Sequence, residues 1–187
     1  MNILIIYTYP NHQSLNHKLL TTVKENIKSG NQVKVLDLYE ENFDPSLRFD
    51  KEHPRHLMKN RPEMKKYQDL ITWADDLIFI FPIWWAGAPA LLKGFIDQVF
   101  SQGFAYAYKG RLMVGLLKNK RAWIITTCNA PRISAPFLQD YGRSLQWFVL
   151  KACGFGKVQR DILYSAEKND RIREKFIKKI QRKAEKI

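Results

Sequence analysis

Residues 77–99 constrain the fold of this chain more than any other stretch. Five consecutive apolar residues, Leu77–Phe81, lack the alternation typical of a strand with one face in water. Pro82 has no N–H group to donate to a sheet, so it is predicted to end the strand. Pro89 is a favoured first residue of a helix, and an apolar stripe follows it. A fully buried strand, a loop and a helix in this order predict an α/β sheet with a ligand at the loop.

The rest of the chain predicts four further strands that alternate with helices. The strands are expected at residues 2–8, 32–36, 121–126 and 157–164. The helices are expected at residues 15–28, 62–73, 89–99, 137–153 and from about 168 onward. Residues 37–61 are expected to be irregular apart from a short helix near 53–59, and residues 101–120 to form a loop. Strand–helix–strand units imply parallel pairing, so we predict a doubly wound α/β/α sheet in one domain over residues 1–187.

Composition limits the class of protein. A length of 187 residues with 45% hydrophobic content is enough for one core, and no apolar run approaches the roughly 18 residues that span a membrane. Two cysteines make no disulfide framework, and the N-terminus is typical of a strand rather than a signal peptide. We therefore expect a cytoplasmic protein without membrane insertion. The net charge of +13 favours anionic ligands and leaves a nucleic-acid-binding module as a weaker alternative.

Three strand-to-helix loops are expected to meet at the carboxyl edge of the sheet. They comprise residues 9–16, 82–89 and 126–131. The first offers Ser14, a predicted N-cap, and Asn16 beside free helix amides, which suit a phosphate group. The second offers the flat side chains of Trp84 and Trp85, and the third offers hydroxyl and amide groups. A phosphate site facing a planar apolar wall favours a flavin nucleotide over a sugar or a peptide.

On these residues the chain resembles the flavodoxin-like NAD(P)H:quinone oxidoreductases, especially their small bacterial branch. The resemblance runs from residue 1 to about residue 164, and its most specific part is residues 81–97 followed by Gly103–Tyr106. It implies a flavodoxin-like five-stranded parallel sheet in the order 2-1-3-4-5. Tyr9 stands where the family often has histidine, and residues 126–131 resemble a Thr-Thr-x-Asn-x-Pro variant of the third loop.

The resemblance also implies the ligands. We expect FMN, with FAD as the alternative, and ping-pong hydride transfer from NAD(P)H to a quinone, a nitroaromatic or an azo compound. The family dimerises with its substrate pocket at the subunit interface, so a homodimer is expected. The predicted cofactor-binding residues are Tyr9, Ser14, Leu15, Asn16, Pro82, Ile83, Trp84, Trp85, Ala86, Thr126, Thr127, Cys128 and Asn129.

Several functional questions stay open at this stage. No general acid is assigned, and Tyr141 and Arg132 are the candidates for that role. A flavin- or nucleotide-binding regulatory subunit of a cation efflux system is the main alternative function. The spacing of His53 and His56 is metal-like, but proline lies between them and no third ligand is near in sequence. No metal site is therefore predicted.

Overall fold

The computed structural model describes residues 1–134 and 140–187. Its strands are β1 (Asn2–Tyr7), β2 (Gln32–Asp37), β3 (Asp76–Pro82), β4 (Tyr106–Lys109), β5 (Leu112–Gly115), β6 (Arg121–Thr127) and β7 (Val158–Leu163). Its α-helices are α1 (Leu15–Asn26), α2 (Pro62–Trp73), α3 (Ala90–Val99), α4 (Tyr141–Ser144) and α5 (Asp170–Ala184). Short 3₁₀ helices cover Arg55–Asn60 and Arg132–Ser134, and a π-helix over Leu145–Lys151 continues α4.

The five long strands form one parallel sheet in the order β2-β1-β3-β6-β7. This confirms the predicted order 2-1-3-4-5, because β4 and β5 form a separate hairpin that is inserted between the third and fourth strands of the sheet. Every residue of β3, the central strand, is buried, which explains the unbroken apolar run from Leu77 to Phe81. The doubly wound α/β prediction is therefore confirmed.

Helices cover both faces of the sheet, and alternate residues of β1 contribute to the two cores. Leu4 and Ile6 belong to the core beneath α2 and α3. Ile3 and Ile5 belong to the core beneath α1 and α5. Because strand side chains alternate between faces, a strand covered on both sides must be apolar throughout. Within the described residues, no helix has the length and apolar character needed to cross a bilayer.

Most element boundaries differ from the sequence-based expectation by one or two residues, and the following differences bear on the site or on the helices. Pro82 was expected to lie beyond the end of β3, but it is the last residue of that strand and pairs with Thr127. The sheet hydrogen bond is made by the following amide, that of Ile83, which donates to Thr127 O at 2.8 Å. Pro89 is the N-cap of α3 rather than its first residue. The helix α1 ends at Asn26, earlier than predicted. The predicted helix over 137–153 begins outside the described residues, and its described part is α4 and the π-helix.

The expectation of a loop over residues 101–120 was wrong. This segment contains the antiparallel hairpin β4–β5, in which Lys109 pairs with Leu112 across a two-residue turn. Gly110 occupies the first turn position at φ +61°, a left-handed conformation that glycine adopts at low cost. The strands have only four residues each, half of these residues are exposed and none is fully buried, so the sequence carries little hydrophobic pattern.

A buried carboxylate attaches the basic C-terminal helix to the sheet. Asp161 on β7 is 2% exposed and accepts hydrogen bonds from Trp123 Nε1 at 2.8 Å and Lys183 Nζ at 2.6 Å. Lys179 Nζ lies 2.7 Å from its other oxygen. Burial raises the pKa of the Asp161 carboxyl, but the three hydrogen bonds outweigh burial and bring the pKa below its usual value. The exposed positive face of α5 is thus anchored by one negative charge.

The irregular segment after β2 is held against α3. Gln98 Nε2 donates to Asp44 O at 2.8 Å. Gly94 faces Pro45 so closely that a Cβ atom at position 94 would lie 2.3 Å from Pro45 O. Glycine is therefore required where the helix and this segment touch.

Candidate functional site

A cleft of about 260 Å³ lies at the carboxyl edge of the sheet, where the three predicted loops meet. Ten of the thirteen residues predicted from the sequence line it: Tyr9, Ser14, Leu15, Asn16, Pro82, Ile83, Trp84, Thr127, Cys128 and Asn129. The position agrees with the general location of ligands in doubly wound sheets. The topology thus brings most of the predicted residues together, although the loops are distant in sequence.

One end of the cleft is the N-terminus of α1. Ser14 has extended backbone angles and its Oγ accepts a hydrogen bond from His17 N at 3.1 Å, so it is the N-cap. The first amides of a helix, here those of Leu15 and Asn16, have no carbonyl one turn earlier to receive them. Together with the helix dipole, these amides attract a negatively charged group.

Thr127, the last residue of β6, joins the three loops. Its hydroxyl and the side-chain amide of buried Asn16 are mutually hydrogen-bonded, with Asn16 Nδ2 to Thr127 Oγ1 at 3.2 Å and Thr127 Oγ1 to Asn16 Oδ1 at 3.3 Å. The Thr127 carbonyl accepts from Ile83 N in the second loop at 2.8 Å. The hydroxyl and the carbonyl of Thr127 therefore both position the loops.

The other end of the cleft is aromatic. Trp84 and Gly87 exchange backbone hydrogen bonds of 3.1 and 2.8 Å and enclose a two-residue turn. Trp85 and Ala86 in that turn have φ values of +50° and +59°, as a type I′ turn requires. The Trp84 side chain is 43% exposed, and its ring centroid lies 5.9 Å from that of Tyr9. The two rings are inclined at 52° to each other and form a solvent-accessible aromatic wall, in which Trp84 offers the flat face.

Three predicted cofactor-binding residues do not line the cleft. Trp85 is fully exposed, and Ala86 is exposed beside it in the turn. Thr126 precedes Thr127 on β6 and therefore points to the opposite face of the sheet, where its methyl group lies near Gly142 of α4. The roles assigned to these three residues stay predictions.

The two candidates for a general acid also lie away from the cleft lining. Burial raises the pKa of Tyr141 far above its usual value, and its ring packs edge-on against Phe81 with centroids 6.1 Å apart. Arg132 is exposed in a 3₁₀ helix. Neither side chain is therefore placed to exchange a proton with a ligand in the cleft.

A fourth segment, the connection from β7 to α5, closes the cleft and was not predicted. The connection contributes Ala166 and Glu167, and the first turn of α5 adds Arg173. The Arg173 guanidinium donates to the carbonyls of Ala166 and Glu167 and to Asp170 Oδ1, the last at 2.9 Å. The connection follows the carboxyl end of a parallel strand, as the other three loops do, so topology was the signal that could have found it.

The charge of the cleft is mixed but favours an anion near α1. Arg173 adds a positive charge to the helix amides there, and Glu167 adds a negative one. Burial raises the pKa of the Cys128 thiol, so this side chain stays neutral at physiological pH. Cys128 is therefore a small apolar wall residue rather than a reactive group.

Comparison with known proteins agrees with this geometry. The whole chain, residues 1–187, matches the family model described as the flavodoxin-like fold. It is 38% identical over 123 residues to an uncharacterised NAD(P)H oxidoreductase of Haemophilus influenzae, over 65% of this chain and 61% of that protein. It is 33% identical over 192 residues to the human ribosyldihydronicotinamide dehydrogenase [quinone], over 88% of this chain and 82% of that protein. The crystal structure of Smu.1420 from Streptococcus mutans superposes with a TM-score of 0.97 at 49% identity over 100% of both chains.

Proposed function

This chain belongs to the flavodoxin-like family, and from that premise we propose that it is a flavin-dependent NAD(P)H:quinone oxidoreductase. The observation that carries the proposal is the cleft in which the anion-binding start of α1 faces the Tyr9–Trp84 wall. The name of the Haemophilus influenzae relative supports the nicotinamide substrate, and that of the human relative supports the quinone. The chain spans about three fifths of the first of these proteins, so its substrates are part of the proposal.

The residues present fit a flavin mononucleotide. Ser14 and the amides of Leu15 and Asn16 would hold the phosphate, and Trp84 with Tyr9 would contact the flat ring. FMN is our first choice and FAD the alternative. A neighbouring groove of about 410 Å³ shares Ser14, Leu15 and Arg173 with the cleft and would take the adenosine of FAD.

The proposed reaction moves two electrons. NAD(P)H loses a hydride, and the quinone gains its two electrons, takes up two protons in total and leaves as a hydroquinone. A bound flavin would supply the ring that accepts and donates hydride. The chain's own task is to bind and orient, since Thr127 and Asn16 fix the loops and Trp84 restricts access from one side. The cleft is open to solvent at exposed Asn129, so water can supply the second proton without a side-chain acid.

The visible spectrum and the mass of any cofactor released from purified protein test this proposal directly. Steady-state rates with NADH and NADPH, against a benzoquinone, a nitroaromatic and an azo dye, then identify the substrates. We expect a yellow protein or one that binds added FMN, with parallel double-reciprocal lines. A colourless protein that binds neither FMN nor FAD and oxidises no NAD(P)H would refute the proposal.

A matched pair of tryptophan variants ties the activity to the cleft. Trp84→Ala removes most of the aromatic wall and is expected to weaken FMN binding about fivefold, because an aromatic contact contributes on the order of 1 kcal/mol beyond area. Trp73→Ala removes a partly buried tryptophan at the other edge of the sheet, next to Asn2, and should leave FMN affinity unchanged. Equal effects of the two substitutions would contradict the assignment.

We also propose that two copies associate. Leu112 and Met113 on the hairpin are exposed, as are Trp147 and Phe148 on the π-helix. Gly115, at the end of β5, lies against the backbone that follows this π-helix, so both apolar pairs belong to adjoining elements. Surfaces of this kind mark association sites. Sedimentation equilibrium tests the point, and a mass of one chain at micromolar concentration would refute it.

The cytoplasmic location and the single domain stay predictions.

A further inference from the structure

A second cluster of ligand-type side chains lies beside the cleft, at the ends of β1 and β2. His12 is in the loop between β1 and α1, Asp37 is the last residue of β2, and Glu40 follows in the next turn. His12 Nε2 lies 3.3 Å from Asp37 Oδ2 and 3.7 Å from Glu40 Oε1. One ligand atom from each residue falls within 4.8 Å of the other two. Ligands bound at about 2.0–2.1 Å to a tetrahedral ion lie roughly 3.3–3.4 Å apart, so this spacing suits a shared cation.

The second oxygen of Asp37 holds the cluster in shape. Asp37 Oδ1 accepts hydrogen bonds from the amides of Tyr39 at 2.9 Å and Glu40 at 3.4 Å. These bonds fix the turn that carries Glu40 and leave Asp37 Oδ2 facing His12. The His12 ring is stacked on that of His17, with centroids 5.0 Å apart and an angle of 22° between planes. Such outer contacts orient ligands in known metal sites.

A buried hydroxyl without a partner provides an independent sign of a missing ligand. Tyr7 is 0% exposed, and within the described residues no group meets normal hydrogen-bond geometry with its hydroxyl, although the Ser14 hydroxyl is near enough to lower the pKa that burial raises. Tyr7 is the register partner of Asp37, so the two side chains leave the same face of adjacent strands. The Tyr7 ring centroid lies 6.4 Å from that of His12. A buried polar group of this kind is costly unless water or an ion's hydration shell satisfies it.

We propose that His12, Asp37 and Glu40 bind a divalent transition-metal ion, with water completing its coordination. A neutral imidazole and two carboxylates give the site a charge of −2, which balances the cation. Imidazole favours zinc and related metals over Mg²⁺ and Ca²⁺. The Tyr7 hydroxyl would bond a water molecule on the metal. The sequence-based expectation of no metal site missed this group because its members are separated along the chain and meet only through the pairing of β1 with β2.

The test is Zn²⁺ binding to the full-length protein, purified with whatever cofactor it carries and freed of metals by dialysis against chelator. Isothermal titration should give one Zn²⁺ per chain, and addition of Zn²⁺ should raise the melting temperature. Mg²⁺ at the same concentration should do neither. The visible spectrum of bound Co²⁺ reports a histidine ligand independently of activity.

The matched variants are His12→Ala and His53→Ala. His53 is also an exposed histidine beside a carboxylate, but within the described part of the chain its ion-pair partner is a single carboxylate, that of Asp50 at 3.4 Å. We expect His12→Ala and Glu40→Gln to weaken Zn²⁺ binding at least about tenfold, since each removes a ligand or its charge, and His53→Ala to leave it unchanged. The proposal would be overturned if the wild-type protein binds no Zn²⁺, or if Zn²⁺ binding is unchanged in both His12→Ala and Glu40→Gln. His12 would then be an ion-pair partner only. Glu40→Gln, at an exposed position, keeps the test valid if His12→Ala fails to fold.

Discussion

The turn beside the cleft stores backbone strain that a single substitution should release. Trp85 and Ala86 both occupy the left-handed region, at φ +50° and +59°, although neither is glycine. That conformation costs a residue with a Cβ atom roughly 1–2 kcal/mol. Ala86→Gly removes this cost but adds about 0.5–1 kcal/mol of unfolded-chain entropy. We therefore expect the variant to unfold with a free energy about 0.5–1 kcal/mol greater than that of the wild type.

Urea unfolding at fixed protein concentration measures this difference, with and without added FMN. For a chain of 187 residues, 1 kcal/mol corresponds to roughly 2–4 °C in melting temperature, so a thermal scan also resolves it. The matched control is Ala90→Gly. Ala90 is the exposed first residue of α3, where the backbone is right-handed and glycine is expected to cost up to about 0.5 kcal/mol. The same chemical change should thus have opposite signs four residues apart.

The ligand gives the prediction a second readout. A glycine in the turn must lose more freedom when a ligand orders the loop, so the stability gain of Ala86→Gly should shrink in saturating FMN and FMN affinity should fall. Strained residues at functional sites are often held in place for this kind of pre-organisation. If Ala86→Gly and Ala90→Gly destabilise the protein alike, the turn stores no left-handed strain and the reasoning is refuted.

Two further predictions concern stability away from the cleft. Gly94→Ala should lower the free energy of unfolding in urea by about 1–3 kcal/mol, because its Cβ would lie 2.3 Å from Pro45 O. Gly156→Ala should be tolerated, since the nearest neighbour of its Cβ would be 3.7 Å away. Equal losses in the two variants would contradict this packing. The pKa of Asp161 is lower in the folded than in the unfolded chain, so its contribution to stability is complete above about pH 4 and is lost as pH falls through the native-state value. Asp161→Asn should be less stable than the wild type at pH 7, and its free energy of unfolding should fall less as the pH is lowered below about 4. An unchanged pH dependence would contradict this role of Asp161 and show that other carboxyl groups dominate acid unfolding.

Strong local patterns made much of the fold predictable. All five strands of the sheet were predicted within two residues of their observed ends. Apolar runs identified β1 and β3, because the middle positions of strands covered on both faces are apolar, whereas β2 was identified by its valines. Capping chemistry identified Ser14, and Pro62 was correctly taken as the start of α2. The hairpin β4–β5 was missed because its exposed strands have no burial pattern, and its signal was confined to Gly110.

The candidate site was less predictable because side-chain direction depends on tertiary geometry. The sequence-based prediction assigned Trp84 and Trp85 the same role. In the type I′ turn, however, Trp84 lines the cleft and Trp85 is fully exposed. Thr126 and Thr127 were likewise grouped, although alternation along β6 separates them. Arg173 entered the cleft from a helix whose basic composition gave no hint of which residue faces inward.

The double role of Thr127 has a consequence for redesign. Its link to the second loop runs through its backbone carbonyl, so that link survives any side chain placed at position 127, whereas the link to Asn16 requires the hydroxyl. Loops one and two are therefore held to β6 by two different groups of Thr127, and they also meet directly through Tyr9 and Trp84. A library that diversifies residues 85–86 of the aromatic turn can therefore leave the start of α1 unchanged, provided that position 127 keeps a hydroxyl group.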